Sequence, residues 1–454
     1  MKIKTFFANF VAKTSRRMMR LVGKQGTQLT GAIAMAIDKN YLQNTKKPET
    51  MMAVTGTNGK TTTSNMIGDV LTLMGHEPVA NRNGSNTIRG IASMLANQVP
   101  LFGQGPRYAV IEEDEIWTRH MNPSLDLSTL TVTNLFQDSF DRNANIRFVF
   151  DRINEGIPKK TKLILNASDS ISAYLGHDSN ERVYFTILPL EGERESKDSK
   201  IQDMIYCPNC EEEIEWIFNR YHHIGEYCCK NCGFTNPEAK YEVYAVDREG
   251  KKLFLRDNGR ELVLPLIQPT IENIYNQLAA YATLRENGFD SAAISSAMGK
   301  INVVERRLRE YRAGKKEVIS MASKGLNPVA NSRIFYNIGN RAGRKSVIYL
   351  SGLDQNDPPG YCPAWVYAAD FQYLKDVDRF IIFTKFAGGL QFTAILDGID
   401  AEKVQVVDSL EVVIDWLEPE VEETVYVLHD IEQEGQDQAL MVKKMLIDKL
   451  GEGR

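Results

Sequence analysis

Short apolar runs return along this chain at intervals wide enough to hold a helix. They begin with MMAVT at Met51 and continue through YAVIE, LTVTN, KLILN and VYFTI. Helix-period patterns fill several of the gaps, notably after Lys60 and from Phe148 to Glu155. Short continuous apolar runs that alternate with amphipathic stretches predict an α/β layer with a mainly parallel sheet. The polar run EGERESKDSK breaks the alternation, and a cysteine module then occupies Ile205 to Pro237. YEVYAVD and KLFLRD follow and read as antiparallel strands, and IYNQLAAYATLRENG reads as a helix returning to the first layer. After Gly314 the alternation resumes with KEVISMA, KSVIYLSG, RFIIFTK, KVQVVD and TVYVLHD, which predicts a second α/β unit. That unit is Rossmann-like in architecture but carries no glycine-rich dinucleotide fingerprint, so nothing points to NAD. The expected organisation is a helical segment over residues 1–48, a main domain over 49–300 with an insertion at 203–240, and a C-terminal α/β domain over 301–454. There is no internal repeat.

Composition narrows the class. The 454 residues are 43% apolar and 25% charged, the profile of a folded globular chain with room for more than one core. A formal charge of −5 argues against a general nucleic-acid binder, and no nucleic-acid partner is expected. No apolar run is long enough to span a bilayer and no signal-peptide pattern is seen, so a cytoplasmic protein is expected. The first twenty-four residues mix Phe, Met and Leu with Lys and Arg. They are expected to form a packed helix, with peripheral contact at the inner face of the cell membrane as the alternative. Five of the six cysteines fall between Cys207 and Cys232, with Cys362 alone, a clustering that favours metal over disulfides.

The stretch VTGTNGKTTTSNM joins the first strand to a helix. Gly56 and Gly59 permit a close backbone turn around Thr57 and Asn58, and a helix N-terminus offers free N–H groups to phosphate. Lys60 is placed to reach terminal phosphates and the Thr61 hydroxyl to sit on Mg²⁺, while Thr62 either joins the site or caps the helix. The usual phosphate-loop pattern asks for Gly or Ala where this chain has Val54, so only the right half fits. Glu112 ends the strand YAVIE, which puts its carboxylate at the same sheet edge as a second oxygen ligand for Mg²⁺. Glu113, Asp114 and Glu115 are ambiguous between orienting a metal-bound water and facing solvent. Asn134 is a candidate for ordering a phosphate oxygen or a water. Asn273 either contacts adenine or caps its helix.

The cysteine module reads CPNC, eighteen residues, then CKNC. Cys207, Cys210, Cys229 and Cys232 make two knuckles suited to a tetrahedral Zn²⁺ with no open position, hence structural rather than catalytic. Cys228 complicates the register, and the adjacent His222 and His223 are expected to be packing or surface residues rather than metal ligands.

These motifs together resemble the Mur ligase superfamily, in which GTNGKT is the ATP loop, and within it the MurT-type synthetase subunits of lipid II isoglutaminyl synthase. The resemblance rests on Gly56–Thr61, on Asn81–Gly90, on the acidic run Val110–Glu115, and on Thr133-Asn134 with Asp138 and Asp141-Arg142. Leu165-Asn166-Ala167, Asn273 to Asn276 with Ala279-Ala280, and the placement of the four-cysteine module extend it. It implies a Mur-ligase-like central ATPase domain with an inserted four-cysteine zinc ribbon, followed by a Rossmann-like α/β C-terminal domain. It also implies a reaction: ATP phosphorylates the α-carboxyl of D-glutamate in the stem peptide of lipid II, and ammonia from a GatD-like glutaminase partner converts the acyl phosphate to isoglutamine. ATP, Mg²⁺ and Zn²⁺ are the implied cofactors. The chain departs from the family in places. Ser139 stands where related ligases often carry a histidine, so a histidine-bound second Mg²⁺ is not expected. Glu305-Arg306-Arg307-Leu308 keeps Arg306 as a phosphate clamp but loses the signature glutamate. Ala368 and Cys362 replace aspartates in a region thought to complete the partner's glutaminase triad, leaving Asp370. Two alternatives stay open: a Mur-type ligase for another carboxylate acceptor, and a non-catalytic, zinc-stabilised scaffold that binds ATP.

Overall fold

The computed structural model describes residues 2–21, 28–82, 85–138, 145–193, 195, 199–301, 308–323, 327–350, 363–430 and 433–451. They form two compact units. The first comprises residues up to 135, 146–198 and 202–302; the second comprises 136–145, 199–201 and 303 onward.

The first unit is built on nine strands: β1 (Thr50–Thr55), β2 (Val79–Ala80), β3 (Tyr108–Glu112), β4 (Thr129–Val132), β5 (Lys162–Asn166), β6 (Arg182–Ile187), β9 (Tyr241–Asp247), β10 (Lys252–Asp257) and β11 (Arg260–Pro265), with the hairpin β7 (Glu215–Tyr221) and β8 (Ile224–Cys228) inserted between β6 and β9. Their order across the sheet is β11-β10-β9-β6-β5-β4-β1-β3-β2. Every neighbouring pair from β2 to β9 is parallel, and β9, β10 and β11 close one edge antiparallel. Strands β1, β3 and β4 are buried almost end to end, as expected of a sheet covered on both faces. YAVIE and KLILN form strands as expected, and LTVTN stops at Val132, leaving Asn134 beyond the ladder. The edge strand β11 (RELVLP) escaped the sequence pattern because charged residues and a single apolar face blur its period.

On one side the sheet carries the helices Leu29–Ile37 and Ile88–Gln98, and the long helix Ile3–Leu21 packs on both. That helix is pinned by polar contacts: Thr5 Oγ1 donates to Asp38 Oδ2 at 2.6 Å, and the Tyr41 hydroxyl donates to Asn9. The helix Lys60–Leu73 packs against the wholly buried middle of the helix Ile271–Glu286.

The second unit has a six-stranded sheet of β12 (Leu308–Ala313), β13 (Lys316–Ser323), β14 (Lys345–Tyr349), β15 (Arg379–Ile382), β16 (Val404–Val406) and β17 (Glu423–Asp430) in the order β12-β13-β17-β14-β15-β16. All pairs are parallel except β12 with β13. This is the expected C-terminal α/β unit, with the added hairpin strand β12 at its edge.

Candidate nucleotide site and cysteine cluster

Parallel registry brings three strand ends together. Val54 lies beside Glu112 on one flank, and Thr55 lies beside Val132 on the other. The loop after β1, the acidic run after β3 and the Thr133-Asn134 turn after β4 therefore share one carboxyl-end edge, where open parallel sheets place their ligands.

The loop is shaped by its neighbours as much as by its own residues. Gly56 and Gly59 have φ of 125° and 85°. A Cβ on Gly59 would also lie 2.0 Å from Asn276 Oδ1, and one on Gly56 would lie 2.4 Å from Thr133 Oγ1, so both conformation and space demand glycine. Asn134 clasps the loop with its whole amide: Asn58 N donates to its Oδ1 at 2.9 Å, and its Nδ2 donates to Asn58 O at 3.0 Å. Thr133 Oγ1 donates to the same Asn58 carbonyl at 2.7 Å, and Thr57 N donates to Asn134 O at 2.8 Å. Asn134 thus engages the loop backbone in this structure, where the sequence placed it against a phosphate oxygen or a water.

Lys60 opens the helix, folded back to donate to Gly56 O at 2.5 Å and to Glu115 Oε1 at 3.0 Å. Thr61 Oγ1 donates to Glu112 Oε1 at 3.0 Å, so the two candidate Mg²⁺ ligands do meet. Asn81 holds Glu112 in place, accepting its backbone N–H at 2.9 Å and donating to its carbonyl at 2.9 Å. Thr62 is half-buried on the first turn beside them. The remaining acids do not face solvent: Glu113, Asp114 and Glu115 are all buried. Burial pushes the Glu113 carboxyl up to about 8, leaving it mostly uncharged at neutral pH. Asp114 Oδ1 accepts Ile116 N and shapes the following turn. Two hard oxygen donors beside a phosphate-type loop are a fitting set for Mg²⁺, which keeps several of its own waters and takes few protein ligands.

The N-cap of the helix Ile271–Glu286 is Thr270; Asn273 sits inside the first turn, where its Nδ2 donates to Thr270 Oγ1 at 2.9 Å and its Oδ1 accepts Asn276 Nδ2 at 3.3 Å. Asn276 in turn braces Gly59, so this helix end supports the phosphate loop from more than two hundred residues away in sequence.

Four of the five cysteines in the insertion converge. The Sγ atoms of Cys207, Cys210, Cys229 and Cys232 lie within 4.8 Å of one another. Cys228 stays outside, its Sγ 3.9 Å from Glu215 Oε2, which answers the question of register geometrically. Asn209 N donates to Cys207 Sγ at 3.4 Å, and N–H donors from Glu212 and Asn231 lower the Cys210 thiol, whereas Cys232, despite the Phe234 N–H, is raised by burial and by the neighbouring thiols. The donor set fits a tetrahedral Zn²⁺. Ile214, Tyr227 and Phe234 fill the small core behind it, with Tyr174 stacked on Phe234 at 4.7 Å.

The hairpin is fastened to the sheet by charge. Buried Arg220 grips Glu193 with two bonds of 2.6 and 2.9 Å and donates to Ile187 O and the Tyr275 hydroxyl at 2.9 and 2.6 Å. His223 lies fully buried between two acids, with Nδ1 2.9 Å from Asp203 and Nε2 3.3 Å from Asp169. Burial works against its charge, yet the two carboxylates raise it to about 10. Asp169 also accepts Leu135 N at 2.8 Å, directly after the Asn134 clasp.

Comparison with known proteins bears on this arrangement. Residues 54–212 match the Mur ligase middle domain family. The chain is 32% identical over 367 residues to a Staphylococcus aureus (strain COL) protein named lipid II isoglutaminyl synthase (glutamine-hydrolyzing) subunit MurT, covering 80% of this chain and 81% of that one. This chain belongs to the Mur ligase superfamily. It is an ATP-dependent ligase of the MurT-like kind. The Streptococcus pneumoniae (strain ATCC BAA-255 / R6) MurT subunit is 28% identical over 439 residues, covering 94% and 95% of the two chains. A pseudomurein peptide ligase type C from Methanothermus fervidus shares the fold at 19% identity, with a TM-score of 0.64 over 91% of this chain and 81% of that one.

Several positions that bear on the Mur ligase resemblance lie outside the described residues: the matched Asp141, Arg142 and Arg306, and the departures Ser139 and Cys362. Within the second unit, Asp138 Oδ1 accepts Asn327 Nδ2 at 2.9 Å, and Asn327 caps the helix Pro328–Gly339. Asp370 is fully buried and accepts Lys200 N at 2.7 Å, with Ala368 half-buried nearby in sequence. The sequence reading missed the working of Arg220 and His223 because a buried ion pair is made by partners remote in sequence. The one local signal was their place among aromatic residues in RYHHIGEY.

Proposed function

We propose that this ligase amidates the α-carboxyl of D-glutamate in the stem peptide of lipid II, with ammonia delivered by a GatD-like glutaminase partner. The observation that carries the reading is the meeting of the Gly56–Thr61 loop, Lys60 and the Thr61–Glu112 pair at one sheet edge, in a chain that resembles two MurT subunits over most of its length. A carboxylate oxygen of the acceptor attacks the γ-phosphorus of ATP, and the bond to the β-phosphate oxygen breaks to give an acyl phosphate and ADP. Ammonia then adds to the acyl carbon; inorganic phosphate leaves, and the nitrogen gives up a proton to form the amide. Thr61 and Glu112 would hold Mg²⁺, which when bound neutralises phosphate charge. Lys60 leaves Glu115 to meet the terminal phosphates, while the first-turn N–H groups and the Asn134 clasp fix the loop around them. Arg306 is assigned as a further phosphate clamp. The cysteine cluster takes no part in these steps and holds its ribbon together around Zn²⁺.

The test supplies lipid II, ATP, Mg²⁺ and ammonium directly to the purified chain and follows the carboxyl-to-amide change by mass spectrometry. Amide is expected from the native chain and a loss of at least a hundredfold from Lys60→Ala, in line with the usual weight of such electrostatic contacts. ATP binding without amide would refute this acceptor.

A further inference from the structure

The helix Ile3–Leu21 is amphipathic in the opposite sense to an ordinary surface helix. Its buried face is made of small or polar residues, Thr5, Ala8, Asn9 and Ala12. Its large apolar residues point outward: Ile3, Phe7, Phe10, Met18 and Leu21 are each more than half exposed. Spaced at 3, 7, 10, 18 and 21, they form a single stripe at helical period along the outer side. Phe102 extends the patch at one flank; it is 76% exposed, with its ring 5.5 Å from Phe6. Exposed apolar stripes of this kind mark a contact site.

Charge says what kind. Lys2, Lys4, Lys13, Arg16, Arg17 and Arg20 are the only ionisable side chains between Lys2 and Leu21, all cationic, in a chain whose formal charge is −5. Burial and the neighbouring Arg16 and Arg17 charges pull Lys13 down, as expected where cations crowd without carboxylates. An apolar stripe with basic flanks suits an anionic lipid surface, where rings enter the headgroup region and lysine and arginine meet phosphates. No helix among the described residues is long and apolar enough to cross a membrane, so the contact would be with one face.

We propose that the outer face of the Ile3–Leu21 helix, with Phe102, docks the first unit onto an anionic membrane surface. This deepens the proposed function, since a lipid-borne acceptor lies at such a surface. Its test contains no acceptor, so the two readings fail separately.

Full-length chain is floated with phosphatidylcholine vesicles with and without phosphatidylglycerol, at low and high salt. Binding is expected to the anionic vesicles and to fall with salt. Phe7→Ser with Phe10→Ser should weaken it at least tenfold, and Lys4→Gln with Arg17→Gln and Arg20→Gln by roughly fivefold per charge. These positions are exposed, so unchanged melting temperatures are expected to show intact folds. Binding to no vesicle, or equal binding by native chain and both variants, would overturn the proposal. So would a dimer in solution that Phe7→Ser with Phe10→Ser dissolves, since the stripe would then serve a second copy.

Discussion

Replacing His223 by Gln tests whether the ribbon is fastened by a buried cation. The imidazole is fully enclosed between Asp169 and Asp203, and its pKa is raised from about 6.5 to about 10. A raised folded value means that the stabilisation is complete below the unfolded value and is lost as pH climbs through the folded one. Its ceiling is roughly 5 kcal/mol, since each tenfold change in proton affinity is worth about 1.4 kcal/mol. Between about pH 6.5 and 10 the folded chain carries one proton more than the unfolded chain at this site, so this group alone erodes stability by about 1.4 kcal/mol per pH unit. His223→Gln removes that slope and leaves the buried Asp169 and the half-buried Asp203 without their cation, a loss of roughly 3–5 kcal/mol at neutral pH. Urea unfolding of native and variant chains at about pH 6.5, 7.5 and 9 measures both effects. The gap between the two chains should be widest at the lowest pH and narrow as pH rises. Asp169→Asn combined with His223→Gln should cost less than the two single changes summed. A gap independent of pH would show that His223 is neutral when folded and would refute the reasoning.

Two further outcomes follow from the site geometry. Gly59→Ala should abolish measurable nucleotide binding by calorimetry, because its φ is 85° and its Cβ would meet Asn276 Oδ1 at 2.0 Å; pairing it with Asn276→Gly removes only the clash and should restore part of the affinity. Zinc content measured by atomic absorption should fall to background in Cys229→Ser and stay at the native level in Cys228→Ser, because only the former belongs to the converging cluster.

The fold was legible where periodicity is strong. Buried parallel strands such as YAVIE and KLILN announce themselves by unbroken apolarity, and the GTNGKT loop by its glycines. The Thr61–Glu112 pairing was also legible, because a strand end and a helix start at one sheet edge leave little freedom of placement. What sequence could not reveal were contacts made across long separations. Asn134 clasping Asn58, Asn276 bracing Gly59, and the Asp169–His223–Asp203 cluster each depend on which strand ends neighbour which. The acidic run after β3 was ambiguous for a related reason: charge suggested solvent, and only the packing around Glu113 shows that burial overrides it.

The position of the cysteine module in the connectivity has a consequence of its own. Strands β6 and β9 are parallel neighbours, and the chain between them carries the β7–β8 hairpin and its four converging thiols. Parallel neighbours need a crossover, a task usually given to a helix that supplies its own internal bonding. Here the crossover carries a hairpin and four converging free thiols instead. With the proposed zinc bound there, the seating of β9, and of β10 and β11 beyond it, would depend on metal supply and on a reducing environment that no residue in those strands requires. An oxidant that never touches the nucleotide loop would reach this ligase through the margin of its sheet.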